Sequence, residues 1–149
     1  MNKRYDRHIK LKGWGAQAQE QLRTAHVVVV GAGGLGSAVL PYLASAGVGK
    51  ITVVDYDRVS LSNLQRQVLY AEEDISRLKA EVAVEKLRAL NSEIELVAIS
   101  KLFEPHTAEN IVGGCDLVID CTDNFRTRYL INDACVRTDV PFIFGALYT

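Results

Sequence analysis

The loop Gly31-Ala32-Gly33-Gly34-Leu35-Gly36 satisfies Gly-x-Gly-x-x-Gly with an extra glycine. Glycines let a backbone turn sharply and approach a phosphate chain, and a helix that starts there offers unbonded N–H groups to the anion. Asp55 closes the next apolar run, where a carboxylate can accept hydrogen bonds from both ribose hydroxyls. NAD and ATP enzymes share this device, so both nucleotides remain open at this point. Further along stand Asn63, Arg66, Gln67 and Lys79. Arg66 carries a planar fork of donors suited to phosphate oxygens, and Lys79 a compact charge that can follow them. Asn63 and Gln67 can hydrogen-bond ribose or phosphate without adding charge. Asp120 and Asp123 supply hard carboxylate oxygens farther on, of the kind Mg²⁺ prefers.

These residues need elements to hold them. The β-branched run 27–30 reads as a buried strand that ends in the glycine loop. Apolar residues at 35, 38, 39, 42, 43 and 46 then follow helical spacing, with a local kink expected at Pro41 and a stop at Gly47 and Gly49. Residues 51–54 form a second strand, 78–90 an amphipathic helix, and 93–99 a third strand. Residues 117–119 form a fourth, followed by a loop through 120–124, a helix over 126–137 and a fifth strand at 141–144. Such alternation predicts an α/β, Rossmann-like, doubly wound and mainly parallel sheet with right-handed crossovers. Ligands of these sheets bind beyond the carboxyl ends of the strands, and each motif above falls at one of those ends. Ahead of the first strand, residues 14–23 read as a short surface helix and 1–12 as an arm. The expected organisation is therefore an N-terminal helical arm over 1–24 and a nucleotide-binding domain over 25–149.

The segment Asp55-Tyr56-Asp57-Arg58-Val59-Ser60-Leu61-Ser62-Asn63-Leu64-Gln65-Arg66-Gln67 resembles the ubiquitin-like-protein activating enzymes, most closely their ThiF/MoeB/HesA branch. That family's pattern, Asp-x-Asp-x-Val-x-x-Ser-Asn-Leu-x-Arg-Gln, is matched at each fixed position. Arg4-Tyr5-x-Arg7 and Asp120-Cys121-Thr122-Asp123-Asn124 fit as well, and the motifs keep the family's order along nearly the whole chain. The resemblance implies an ATP-dependent adenylyltransferase with Mg²⁺. It would activate the C-terminal carboxylate of a small ubiquitin-fold sulfur carrier ending in Gly-Gly, releasing an acyl-adenylate and pyrophosphate. It also implies that the glycines Gly31, Gly33, Gly34 and Gly36, together with Asp55, Asp57, Asn63, Arg66, Gln67 and Lys79, bind ATP. Asp123 would hold Mg²⁺, with Asp120 as the alternative ligand or merely a strand-end cap. Arg7 would reach the site of a partner subunit as an arginine finger, which makes a homodimer the expected assembly. Ahead of Lys79 the family more often has a glycine and a proline, where this chain has Ser76-Arg77-Leu78.

Composition narrows the alternatives. The 149 residues are 48% hydrophobic and 23% charged with a net charge of −1, which gives no general pull toward nucleic acid or an acidic membrane. The uncharged stretch 27–49 is long enough to span a bilayer, but glycines and Pro41 break it into strand, loop and helix. The charged start carries no apolar signal region, so a cytoplasmic location is expected. Cys115, Cys121 and Cys135 have no Cys-x-x-Cys spacing and read as reduced, buried thiols. The resemblance implies that whole members continue past the equivalent of Thr149, with more strands, a partner-binding surface and often zinc held by two Cys-x-x-Cys pairs. None of these is in the chain, which is therefore read as part of a longer protein. The rival readings are an NAD-dependent oxidoreductase, which shares the glycine loop and Asp55, and a non-catalytic nucleotide-binding or dimerisation module.

Overall fold

A computed structural model describes residues 3–147. Both termini of the expected arm-and-domain division (residues 1–2 and 148–149) lie outside the described residues. Five strands make one parallel sheet: β1 (His26–Val30), β2 (Lys50–Val54), β3 (Glu95–Ile99), β4 (Leu117–Asp120) and β5 (Phe142–Phe144). Their spatial order is β3-β2-β1-β4-β5, so the chain runs outward from β1 to one edge and then returns to build the other. In register, Val30 lies beside Val54 on one side and Asp120 on the other, which brings the strand ends level.

Alternate side chains of the valine-rich strands point to opposite faces, and each face is covered by two helices. Val27, Val29, Ile51 and Val53 pack with α3 (Gly34–Ala46) and α4 (Lys79–Leu90) through Leu40, Ala44, Ala83 and Leu87. Val28, Val30, Val54 and Val118 pack with α5 (Pro105–Val112) and α6 (Phe125–Thr138) through Ala108, Val112, Ile131 and Ala134. Two-sided burial explains why these strands read as continuous apolar runs rather than as alternating ones. α3 continues through Pro41 as one helix. No described helix is long and apolar enough to cross a membrane.

The doubly wound sheet agrees with the expected class, and element ends shift by a residue or two. Helix α5 is additional to the elements expected. It is short, with Pro105 at its first turn and Gly113 at its end. The N-terminal residues form two further helices, α1 (Asp6–Ile9) and α2 (Gly15–Thr24). They dock at the amino end of the sheet, where Asn91 Nδ2 donates to Tyr5 Oη and Gln19 Nε2 donates to the Ala46 carbonyl, each at 2.8 Å.

Candidate functional site

Between β1 and β4 the winding of the sheet reverses, and beyond their carboxyl ends a cleft of about 640 Å³ opens. Its floor is the glycine turn. Gly31 has φ +95°, and a Cβ there would meet the Cys121 carbonyl oxygen at 2.7 Å. A Cβ on Gly36 would meet the Gly31 carbonyl oxygen at 2.1 Å. Gly36 thus permits the turn to fold on itself and does not line the cleft, whereas Gly31, Gly33 and Gly34 do. Ala32 pins the turn from two sides: its N–H donates to Asp55 Oδ2 at 2.7 Å and its carbonyl accepts from Tyr70 Oη at 2.7 Å. Burial, then the charges of Asp55 and Asp74, push the Tyr70 hydroxyl well above the usual tyrosine range, so it stays a donor.

Asp55 stands at the tip of β2. Each carboxylate oxygen already accepts one backbone N–H, from Ala32 and from Asp57 at 2.8 Å, so the group is fixed with lone pairs to spare. The segment after it folds over the glycine turn through a tight turn at Leu61–Asn63, where Asn63 Oδ1 accepts from the Ser60 N–H at 3.3 Å. That leaves the Asn63 Nδ2 donor for a ligand. Arg66 lies against Gly34, where its Cδ would be 3.8 Å from an added Cβ, and Gln67 Nε2 would be 3.6 Å from one on Gly33. Gln67 is buried, and its Oε1 has no hydrogen-bond partner among the described residues. An orphaned acceptor of this kind costs free energy unless a ligand or water completes it.

Lys79 opens α4 and is buried, unlike the solvated surface lysine that would be the ordinary expectation. Its Nζ sits 3.2 Å from Asp57 Oδ2, and its N–H donates to the Asp57 carbonyl at 2.9 Å. The departure from the family pattern before this lysine has a definite structure. Ser76 takes a left-handed backbone with φ +73°, and Arg58 and Leu78 pair as an antiparallel bridge that carries the chain into the cleft wall.

Asp120 and Asp123, the two candidate cation ligands, are in opposite situations. Asp120 is fully buried. Its Oδ2 accepts from Arg128 Nε at 2.8 Å and its Oδ1 from the Thr122 N–H and hydroxyl, so it anchors the strand end and faces no ligand. Asp123 is exposed at the cleft wall, and among the described residues its carboxylate has no hydrogen bond or ion pair. One uncommitted carboxylate at the cleft wall is chemically suited to Mg²⁺, which usually takes one or two carboxylates with phosphate oxygens and water. Among the described residues no three His, Cys, Asp or Glu side chains cluster as a metal site. Cys121 lines the floor, but burial and then the Asp120 charge push its thiol up to about 11, so it is no thiolate at neutral pH.

One cleft therefore gathers the glycine turn, Asp55, Asp57, Asn63, Arg66, Gln67, Lys79 and Asp123. Arg7 does not join them. It is exposed on α1, which docks at the opposite end of the sheet. Sequence reasoning passed over Arg128, which also lines the cleft. Its only signal was a place one helical turn beyond Asn124, the cap of α6.

A model of the ThiF family matches residues 5–149. The chain belongs to the ThiF family. This ThiF-family chain is 50% identical over 145 residues to the sulfur carrier protein adenylyltransferase of Thermus thermophilus, covering 97% of the chain and 54% of that relative. Among solved structures, E. coli MccB with AMPCPP and MccA superposes with a TM-score of 0.86 at 33% identity, covering 97% of this chain and 45% of that one. E. coli tRNA N6-threonylcarbamoyladenosine dehydratase, TcdA, in complex with ATP gives a TM-score of 0.83 at 32% identity, covering 88% and 54%. The chain spans about half the length of the curated relatives it matches.

Proposed function

We propose that this ThiF-family chain is the nucleotide-binding part of an ATP-dependent adenylyltransferase that activates the C-terminal carboxylate of a small ubiquitin-fold sulfur carrier. The observation that carries the reading is that Arg66, Gln67 and Lys79, from the crossover after β2, and Asp123, from the loop after β4, line one cleft with the glycine turn. Kinship with an enzyme named sulfur carrier protein adenylyltransferase supports the substrate class. An NAD reading would use the glycine turn and Asp55 but would leave Asn63, Arg66, Gln67 and Asp123 without work.

In this mechanism Asp55 holds the ribose hydroxyls, while the N–H groups of the glycine turn face the phosphates. A carrier carboxylate oxygen attacks the α-phosphorus, the bond to the bridging oxygen breaks, and pyrophosphate leaves as the acyl-adenylate forms. No side-chain nucleophile is required, because alignment and charge stabilisation supply the rate. Arg66 and Lys79 take up the charge that grows on the leaving pyrophosphate. Mg²⁺ held at Asp123 would screen the triphosphate as it accompanies ATP. Arg7 completes the clamp from a second copy, since within its own chain it stands at the far end of the sheet.

ATP–pyrophosphate exchange with a Gly-Gly-tailed carrier tests the reading. Exchange dependent on carrier and Mg²⁺ is expected. A folded dimer that shows none at any carrier concentration, or that binds NAD in preference to ATP–Mg²⁺ by calorimetry, would defeat it.

A further inference from the structure

Arg128 sits on the first turns of α6 with its side chain only 15% exposed. Its Nε donates to Asp120 Oδ2 at 2.8 Å, and its Nη2 to the carbonyls of Thr122 and Gly145, each at 3.1 Å. The guanidinium also lies over the rings of Phe144 and Phe125, at 5.0 and 5.9 Å from their centroids. One side chain thus ties together the end of β4, the loop after it, the end of β5 and the start of α6. Asp120 reinforces the tie by accepting both the N–H and the hydroxyl of Thr122, at 2.8 and 2.6 Å.

Asp123 lies between two fixed neighbours. Thr122 is held by Arg128 and Asp120, and Asn124 is held as the cap of α6 by accepting the Thr127 N–H at 2.9 Å. The backbone of Asp123 is therefore braced on both sides while its carboxylate is uncommitted among the described residues. A buried ion pair is weak grounds for a purely stabilising role, because desolvation offsets much of its attraction. Here one arm of the fork is bonded to the carbonyl of Thr122, the residue next to the cleft-lining Asp123, and also to that of Gly145 after β5.

We propose that Arg128 is a positioning residue for the cation that travels with ATP, setting Asp123 toward it through Thr122 and Asp120. The assignment rests on the adenylation reading. Outer partners that orient a metal ligand typically change metal affinity by about 10–100-fold.

Calorimetry of AMPCPP binding to the full chain, with and without Mg²⁺, tests it. In the unmodified chain Mg²⁺ should tighten binding. In Arg128→Gln the metal-free affinity should stay within about threefold, while the gain from Mg²⁺ falls about tenfold or more. Arg128→Lys keeps the charge without the planar fork and should recover part of that gain. An undiminished Mg²⁺ gain in Arg128→Gln overturns the assignment, whatever happens to its melting temperature. So does an equal loss of metal-free affinity, which would mark a general brace. If Arg128→Gln does not fold, Asp120→Asn is read by the same two titrations and the same criteria. An unmodified chain that binds no AMPCPP at all overturns the adenylation reading and this assignment together. An unmodified chain whose Mg²⁺ dependence is shared by Arg128→Gln overturns this assignment alone.

Discussion

At the amino end of the sheet Asn91 is fully buried, and its side chain donates to Tyr5 Oη and the Ala44 carbonyl and accepts the Glu93 N–H. At the carboxyl end Gln67 is nearly as buried, yet its Oε1 has no partner among the described residues. The contrast extends to neighbours. Gln19, at the amino end, bonds to Ala46 and contacts His8 and Trp14, while Asp123, at the carboxyl end, holds a charge with no ion pair among the described residues. One end satisfies its polar groups internally and so fixes the arm. The other leaves the buried Gln67 Oε1 unsatisfied and the exposed Asp123 carboxylate uncommitted among the described residues, which is where local compromises in a fold are expected.

The sharpest way to break this comparison is to ask whether the amino end serves a different copy's site. Arg7→Ala should lower pyrophosphate exchange by about 10³-fold or more, the range of an arginine finger, with nucleotide affinity little changed. Asp123→Asn should lower it by about 10²–10³-fold. Mixing the two inactive chains should then restore activity. A mixed dimer pairs the intact Asp123 of one chain with the intact Arg7 of the other. Mixtures that exchange subunits but stay inactive would show that Arg7 does not act in trans.

A smaller effect sharpens the independence of the two ends. Asn91→Ala strands the Ala44 carbonyl and the Tyr5 hydroxyl in a buried setting, a cost of about 1–3 kcal/mol. The melting temperature should fall by several degrees, roughly 2–4 °C per kcal/mol for a chain of this size. AMPCPP affinity should stay within about twofold. If calorimetry shows affinity dropping in step with stability, the ends are coupled and the comparison fails.

How much of this was legible in the sequence follows from the range of the interactions. The β-branched runs predict the central strands β1 and β2 because both their faces are buried, and helical spacing predicts α3 and α4 from periodicity within each segment. The segment 105–112 places apolar residues at 108, 111 and 112, but its eight residues are too short a stretch for a helical period to stand out. At the site, the glycine turn and Asp55 were readable because their chemistry is local. The burial of Lys79 and its pairing with Asp57 were not, since residues 22 apart meet only after the crossover folds. The preference for Asp123 over Asp120, with Asp120 as a strand-end cap, was already legible in the sequence; what was hidden was the partner that ties Asp120 down. That partner is Arg128, a residue whose surroundings come from β4, β5 and α6 together.

The smallest predicted effect concerns the crossover loop itself. Ser76 holds φ +73°, where an L side chain costs roughly 1–2 kcal/mol and glycine little. The conformation persists because the Ser76 N–H donates to the Val59 carbonyl at 2.8 Å and its own carbonyl accepts from Arg58 Nη1 at 2.6 Å. These bonds use only backbone atoms of residue 76, so Ser76→Gly keeps them and removes the steric penalty. Against that stands the greater freedom of glycine in the unfolded chain, which returns part of the gain. The net expectation is a stabilisation of about 0.5–1 kcal/mol by denaturant unfolding, with Lys79 and the cleft unchanged. The glycine that the family pattern favours ahead of this lysine would then be explained by backbone handedness. A destabilised Ser76→Gly would mean that the serine side chain contributes something the backbone bonds do not.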